Sequence, residues 1–469
     1  MIKEDGRNER GGVTIMRLVS SVECFAARNP KSMELWERSL KNGRGVHHDG
    51  RHFVPFPIYA THCRGSRKWD VDDHEYVDYT MGHGSLLLGH AHPSLVETIN
   101  SQVVKGTHYG TETELALEWA EIITQLIPAA EKVEFVLTGT EANELIAQIS
   151  RAYTGRTKIL KFAEHYHGWS NDFQVGLLSP YDRPLAGQLP PIVDGAVSGG
   201  TVVIPCNDEM ALEEALSKRD IAALFIEGGG AHSGEIAVPL QLWHSARQLT
   251  KEYGTLLVID EVITGFRWSP GGCQALVGIT PDLSSLGKIV SGGLPGGAIC
   301  GRAEVMELLT IKSKDAEWNR YRKVPHNGTW NGSPLSAAAG IAMLKIVATG
   351  EPQKIAKAMA ERLATGLNKK MEERGIEGCA YNASSVIHLH LGKCKRCDRE
   401  LCLDASKKMS PEIVAMLNRH FVLNGVHMAR GTIGWVSAVH SEQDIDETIA
   451  AFGSVLDGMV EEGILKKSL

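Results

Sequence analysis

Along this chain, short apolar runs alternate with longer stretches in which apolar residues recur at helical spacing. Residues 133–137, 158–162, 222–226 and 255–260 read as strands, and the last two are apolar enough to be buried on both faces. After the first, Ala142, Leu145, Ile146, Ile149, Ala152 and Tyr153 share one face of a predicted helix. Such alternation marks βαβ units and predicts an α/β fold with a mostly parallel sheet. From about residue 335 onward, helix-period segments (335–348, 354–374, 411–423) alternate with short strands (386–391, 435–438), which predicts a smaller α+β lobe. Residues 53–79 suggest a hairpin belonging to that lobe. The expected division is a flexible tail over 1–14, an N-terminal segment and part of the small domain over 15–90, a large domain over 91–340, and a C-terminal small domain over 341–469.

Polar residues gather where the strands end. Tyr166-His167-Gly168 follows the second strand, Glu227 the third, and Asp260-Glu261 closes the fourth. Ligands of open α/β sheets sit outside the carboxyl ends of the strands, so these residues are expected around one crevice. Thr138-Gly139-Thr140 supplies hydroxyls and amides at a helix N-terminus, which is a phosphate cradle, although Thr138 fits a plain helix cap as well. A buried Asp260 requires a positive or donating partner, and a pyridinium nitrogen or Arg267 would serve. Lys288 is the sole charged residue between Asp282 and Arg302, amid apolar and glycine neighbours. Desolvation lowers a lysine pKa and makes the amine a nucleophile toward an aldehyde, whereas the motif alone also fits an ordinary loop lysine. Cradle, aspartate and lysine come in the order that a pyridoxal 5′-phosphate site needs.

Composition narrows the function classes. The 469 residues, 43% hydrophobic and 22% charged, describe a globular protein, and a net charge of −7 without a basic patch argues against a nucleic-acid partner. No apolar stretch reaches membrane-spanning length, and the charged first residues suggest a cytoplasmic protein. Cys24, Cys206, Cys273 and Cys300 read as reduced core thiols. Cys394, Cys397 and Cys402 follow His388 and His390 without a second C-x-x-C, so they read as a surface insertion with free thiols, metal binding staying open. No G-x-G-x-x-G opens a helix after a strand, which argues against a nicotinamide dehydrogenase.

Asp260-Glu-Val-Ile-Thr-Gly-Phe-Arg267, Thr280-Pro-Asp-Leu-Ser-Ser-Leu-Gly-Lys288 and Gly292-Gly-Leu-Pro-Gly-Gly-Ala298 resemble the signature of class III pyridoxal-phosphate aminotransferases. Phe135-Val-Leu-Thr-Gly-Thr-Glu-Ala142, Arg151-Ala-Tyr-Thr-Gly-Arg156, Tyr166-His-Gly168 and His326-Asn-Gly-Thr-Trp-Asn-Gly-Ser-Pro334 are similar to the glutamate-1-semialdehyde aminomutase-like branch. The resemblance runs from about residue 35 to 456. It implies fold type I, with a large three-layer α/β/α domain that binds the cofactor, and a homodimer with shared active sites. It also implies a Schiff base on Lys288, Asp260 at the ring nitrogen, Tyr166 and Val262 on the two ring faces, and Thr138, Gly139 and Thr140 on the phosphate. Thr329 would reach the phosphate of the neighbouring subunit, with His167 and Glu227 supporting the cofactor site.

Departures from the branch concern the substrate. His83 replaces a tryptophan, and Ala429-Arg430-Gly431 stands where a proline-serine turn is usual. The Gly-His-Gly, His165-Tyr-His-Gly-Trp169 and Arg430-Gly elements are similar to D-phenylglycine aminotransferase and, more loosely, to β-phenylalanine aminotransferases. Arg51 aligns with the arginine that holds a substrate carboxylate, a task that suits a guanidinium fork. Surface or structural roles remain open for Arg51 and His83, as does a salt bridge within the small lobe for Arg430. The expectation is an aminotransferase that moves an amino group from an amino acid, D-α or β, to a 2-oxo acid by a ping-pong route through Lys288. Glutamate-1-semialdehyde 2,1-aminomutase is the alternative, and a non-catalytic cofactor-binding protein is a third reading.

Overall fold

A computed structural model describes residues 20–176, 200–392 and 409–467. The expected N-terminal tail and Cys394, Cys397 and Cys402 lie outside the described residues. Strands β1 (Ala60–Arg64), β2 (Arg67–Asp70) and β3 (Glu75–Asp78) form an antiparallel meander, where the sequence suggested a hairpin. The second turn exists because the Asp70 carboxylate accepts the backbone amides of Asp72 and His74, both at 2.9 Å, and so reverses the chain.

The central sheet comprises β4 (Lys132–Val136), β5 (Lys158–Phe162), β6 (Thr201–Ile204) and β7 (Ile221–Glu227). After the two-residue β8 (Ile236–Ala237), which lies outside it, come β9 (Leu256–Glu261), β10 (Leu283–Leu286) and β11 (Gly297–Gly301). Its seven strands run in the order β4-β11-β10-β9-β7-β5-β6, with β11 antiparallel to both neighbours and the other pairs parallel. Side chains alternate across it as the two-residue period of a strand demands. Ala223, Phe225 and Val258 pack with Leu145 and Ile149 of the helix Gly139–Thr154. Leu224, Ile226, Leu257 and Ile259 pack on the other side with Leu242, Trp243 and Ala246 of the helix Leu240–Tyr253. The sheet is thus buried on both faces in three layers, and each enclosed Leu, Ile or Phe contributes about 1.5–3 kcal/mol.

The smaller sheet joins β12 (Gly378–Ala383), β13 (Val386–Leu391) and β15 (Ile433–Trp435), while β14 (Val426–His427) runs parallel to β3 and extends the N-terminal meander. The last strand stops at Trp435 rather than running over 435–438. Beyond it, the amides of Val436 and Ala438 turn to the carbonyls of Ser385 and Leu87 and leave the ladder with β13. Leu363, Leu367, Phe421, Phe452 and Leu456 form the core beneath these sheets with Tyr79. Of the four expected core thiols, Cys206, Cys273 and Cys300 are buried but Cys24 is only half-buried, because it lies on the partly open side of the helix Ser21–Arg28.

The turn that bears Lys288 rests on this frame. The helix Pro334–Val347 packs against residues Lys288–Ser291, and the Trp119 indole donates to the Val290 carbonyl at 2.9 Å. Gly340 makes that approach possible, since a Cβ there would stand 2.5 Å from Trp119 Nε1 and 2.6 Å from the Val290 oxygen. Gly340→Ala is therefore expected to cost about 1–3 kcal/mol of stability through overpacking. Urea unfolding of both proteins checks this, and an unchanged midpoint would contradict the packing account.

Candidate active site

The expected residues meet at the carboxyl edge of the central sheet. Pairing of β7 with β9 sets Glu227 beside Asp260, and pairing of β9 with β10 sets Glu261 beside Leu286, two residues before Lys288. The chain leaving β5 brings Tyr166 and His167 to the same edge, and the chain leaving β4 brings Thr138. Five strand ends thus converge, as the parallel arrangement requires.

Asp260 is buried, and every donor around it is neutral or a histidine. Its Oδ2 accepts from Asn143 Nδ2 at 2.7 Å and His167 Nδ1 at 2.8 Å, and its Oδ1 accepts from the Val262 amide at 2.9 Å. Burial alone would raise its pKa, but the hydrogen bond and charge of His167, with these other donors, hold it below the ordinary carboxylate range. Arg267 is not its partner. That guanidinium is fully buried and donates instead to Ser385 Oγ, the Val436 carbonyl and the Gly84 carbonyl, tying the end of the large sheet to the smaller one. Asp260 is therefore an ionised acceptor with no lysine or arginine bonded to it among the described residues.

Thr138 performs the capping role that the sequence allowed. Its hydroxyl accepts from the Glu141 amide at 3.2 Å, while Glu141 reaches back to the amides of Thr138 and Leu137 at 3.0 and 2.6 Å. This capping box leaves the amides of Gly139 and Thr140 without helical partners at the N-terminus, where an anion is favoured. A Cβ on Gly139 would stand 2.7 Å from Val262 Cγ2, so the cradle lies directly against the residue that follows Asp260 and Glu261. Cap and cradle coexist because the box consumes other donors.

Lys288 retains partial solvent access, and desolvation lowers its pKa to about 8 despite the opposing charges of Asp260 and Glu227. Burial pushes Glu227 up to about 7, and its carboxylate accepts the amides of Tyr166, His232 and Ser233. The ring of Tyr166 is half-exposed at the crevice. These features fit pyridoxal phosphate: an amine of lowered pKa, a buried acceptor carboxylate for the ring nitrogen, and an amide cradle for the phosphate.

Arg51 and His83 come together, Arg51 Nε donating to His83 Nε2 at 3.4 Å, and Arg430 lies near enough for its charge to act, with those of Arg51 and Lys288, on the neighbouring His48. Thr329 is exposed, and its carbonyl accepts from His108 Nε2 at 2.5 Å in a surface loop beside the half-exposed Trp330. Sequence reasoning missed Asn143 and His48. Asn143 had a signal, being a polar residue within the apolar stripe of its helix. His165, whose Nδ1 accepts the Glu227 amide at 2.9 Å, was named only as part of the His165–Trp169 motif, without this role.

The family described as aminotransferase class III matches residues 49–378. A glutamate-1-semialdehyde 2,1-aminomutase from Methanopyrus kandleri is 36% identical over 435 residues, covering 91% of this chain and 97% of the relative. Among solved structures, an omega-transaminase from Sphaerobacter thermophilus superposes with a TM-score of 0.82 at 27% identity, covering 92% of this chain and 99% of that one. A β-phenylalanine aminotransferase from Variovorax paradoxus does so with a TM-score of 0.81 at 25% identity, covering 96% and 98%. This chain belongs to the class III aminotransferases, in the glutamate-1-semialdehyde aminomutase-like branch, and is a pyridoxal-phosphate-dependent enzyme of fold type I.

Proposed function

We propose that Lys288 bears the cofactor and that the enzyme relocates an amino group on a small carboxylate-bearing substrate. The observation that carries this is the convergence of Lys288, Asp260 and the Gly139–Thr140 amides at one sheet edge. Thr138, Gly139 and Thr140 would hold the phosphate, Tyr166 and Val262 the ring faces, and Asp260 the ring nitrogen, with His167 and Asn143 orienting Asp260. Glu227 would fix the Tyr166 backbone. The bound cofactor supplies an electron sink for the carbon that carries the amino group. Lys288 Nζ would take the proton from that carbon and return it at the receiving carbon. Arg51 would grip the substrate carboxylate, beside His83 and Arg430. Thr329 would serve the phosphate of a second copy, in a homodimer with shared sites. Cys24, Cys63, Cys206, Cys273 and Cys300 are free thiols, which supports a reducing, cytoplasmic setting. No described helix is long and apolar enough to cross a membrane.

The relatives favour intramolecular transfer, since glutamate-1-semialdehyde 2,1-aminomutases match at 36% and 33% identity over 91% and 92% of the chain. The transaminase of D-α or β-amino acids expected from the sequence therefore becomes the second reading. His83 beside Arg51, and transaminases among the structural neighbours, keep it in view.

Incubating the purified holoenzyme with glutamate 1-semialdehyde, without any other carbonyl compound, separates the two. Moving the amino group from C2 to C1 yields 5-amino-4-oxopentanoate, and its steady formation is the expected outcome. Turnover that requires stoichiometric external 2-oxo acid would carry the second reading, and no reaction with any amino donor would sink both. Lys288→Ala is expected to reduce turnover by about a hundredfold or more, the range for loss of general acid–base catalysis. The lowered pKa makes a further expectation. The free-base fraction of Lys288 in cofactor-free protein rises as pH increases through about 8, well below an ordinary lysine at 10.5. Peptide-resolved acylation rates across that range check this, and a midpoint near the ordinary value would contradict the desolvated site.

A further inference from the structure

His48 and His83 come from separate segments, yet their imidazoles stack with centroids 4.6 Å apart and planes 22° from parallel. His48 precedes the short turn Asp49–Arg51, and its Nδ1 accepts the Gly50 amide at 2.9 Å, which fixes the ring and makes Nε2 the protonated nitrogen. His83 sits in a left-handed conformation (φ 55°) on the segment Met81–Gly84, which packs against the Lys288 turn. Its far edge meets Trp435 at 6.3 Å and 70°. A ring held from both sides in this way presents its Nε2 to Arg51, whose Nε donates to it at 3.4 Å.

We infer that His48 and His83 are positioning residues that aim Arg51: the stacked pair presents a neutral acceptor to the guanidinium Nε and leaves the two terminal nitrogens for the substrate carboxylate. An acceptor at Nε sets the plane of the guanidinium, and that plane decides whether its fork can meet a carboxylate side-on. The device requires unprotonated rings. Desolvation, then the charges of His48, Arg51, Lys288 and Lys68, lowers the His83 pKa to about 4. Desolvation, then Arg51, lowers that of His48, with Lys288 and Arg430 adding to the shift against Asp49. Both shifts favour the neutral imidazoles.

This inference rests on the proposed function, and the test separates the two. With the holoenzyme, the half-reaction is followed by loss of cofactor absorbance, using an amino acid that the wild type accepts and the amine left by removing its carboxylate. His83→Leu removes the acceptor, His83→Gln restores one, and both bear the same left-handed backbone. His48→Ala, at an exposed position with extended backbone, removes the stack with little risk to folding. His83→Leu and His48→Ala are expected to raise the half-saturating amino acid concentration, His83→Leu by about tenfold, the scale of one charge-assisted hydrogen bond. The limiting rate and the reaction of the carboxylate-free amine should change less than about twofold, and His83→Gln should recover most of the loss. If Arg51→Ala weakens the amino acid while His83→Leu and His48→Ala do not, this inference alone is overturned. Equal losses for amino acid and amine would also overturn it, because they would mean a collapsed crevice. A wild type that reacts with no amino donor would instead overturn the proposed function.

Discussion

A carboxylate enclosed at the end of a buried strand is costly unless donors surround it. Asp260 is that carboxylate, and the site is organised around it. Its donors come from three directions: His167 from the chain after β5, Asn143 from the helix after β4, and Val262 from the chain after its own strand. Asn143 also donates to the His167 carbonyl at 3.0 Å, so the ring that holds Asp260 is itself held. Ionisation survives burial because those hydrogen bonds outweigh desolvation, and among the described residues no lysine or arginine is bonded to the resulting charge, which the proposed function gives to the ring nitrogen.

Charges of both signs surround the crevice: Asp260 and Glu227 act on Lys288, and Arg51, Arg430 and Lys288 act on His48, which stacks on His83. The proposed function uses this mixture by seating a substrate carboxylate on Arg51 with the amino group at Lys288. Arg267 performs a different task with its charge, joining the large sheet to Ser385 and Val436 through hydrogen bonds alone.

The large domain was legible wherever a local pattern carried the information. Apolar runs at 222–226 and 255–260 announced strands buried on both faces, and both are enclosed in that way. Lys288 was visible because charge is absent around it. What escaped depended on long-range contact. Nothing near His48 reveals that it stacks on His83, and nothing near Arg267 names Ser385 as its partner. The N-terminal meander was underread because its second turn is closed by a side chain, Asp70, rather than by glycine or proline. Thr138 could be read as cap or as cradle, and only the capping box shows that one turn can serve both.

Lys161 provides the sharpest contrast to Lys288. It is fully buried, and desolvation lowers its pKa to about 7, but its ammonium is bonded to the carbonyls of Phe173 and Val175 at 3.0 and 2.9 Å. A lowered pKa alone therefore does not single out a reactive amine, and the proposal of Lys288 rests on its place beside Asp260 at the sheet edge. Borohydride reduction of the holoenzyme followed by peptide mapping tests this directly. The account predicts a pyridoxyl group on Lys288 and on no other lysine, and a label on Lys161, or none on Lys288, would contradict it.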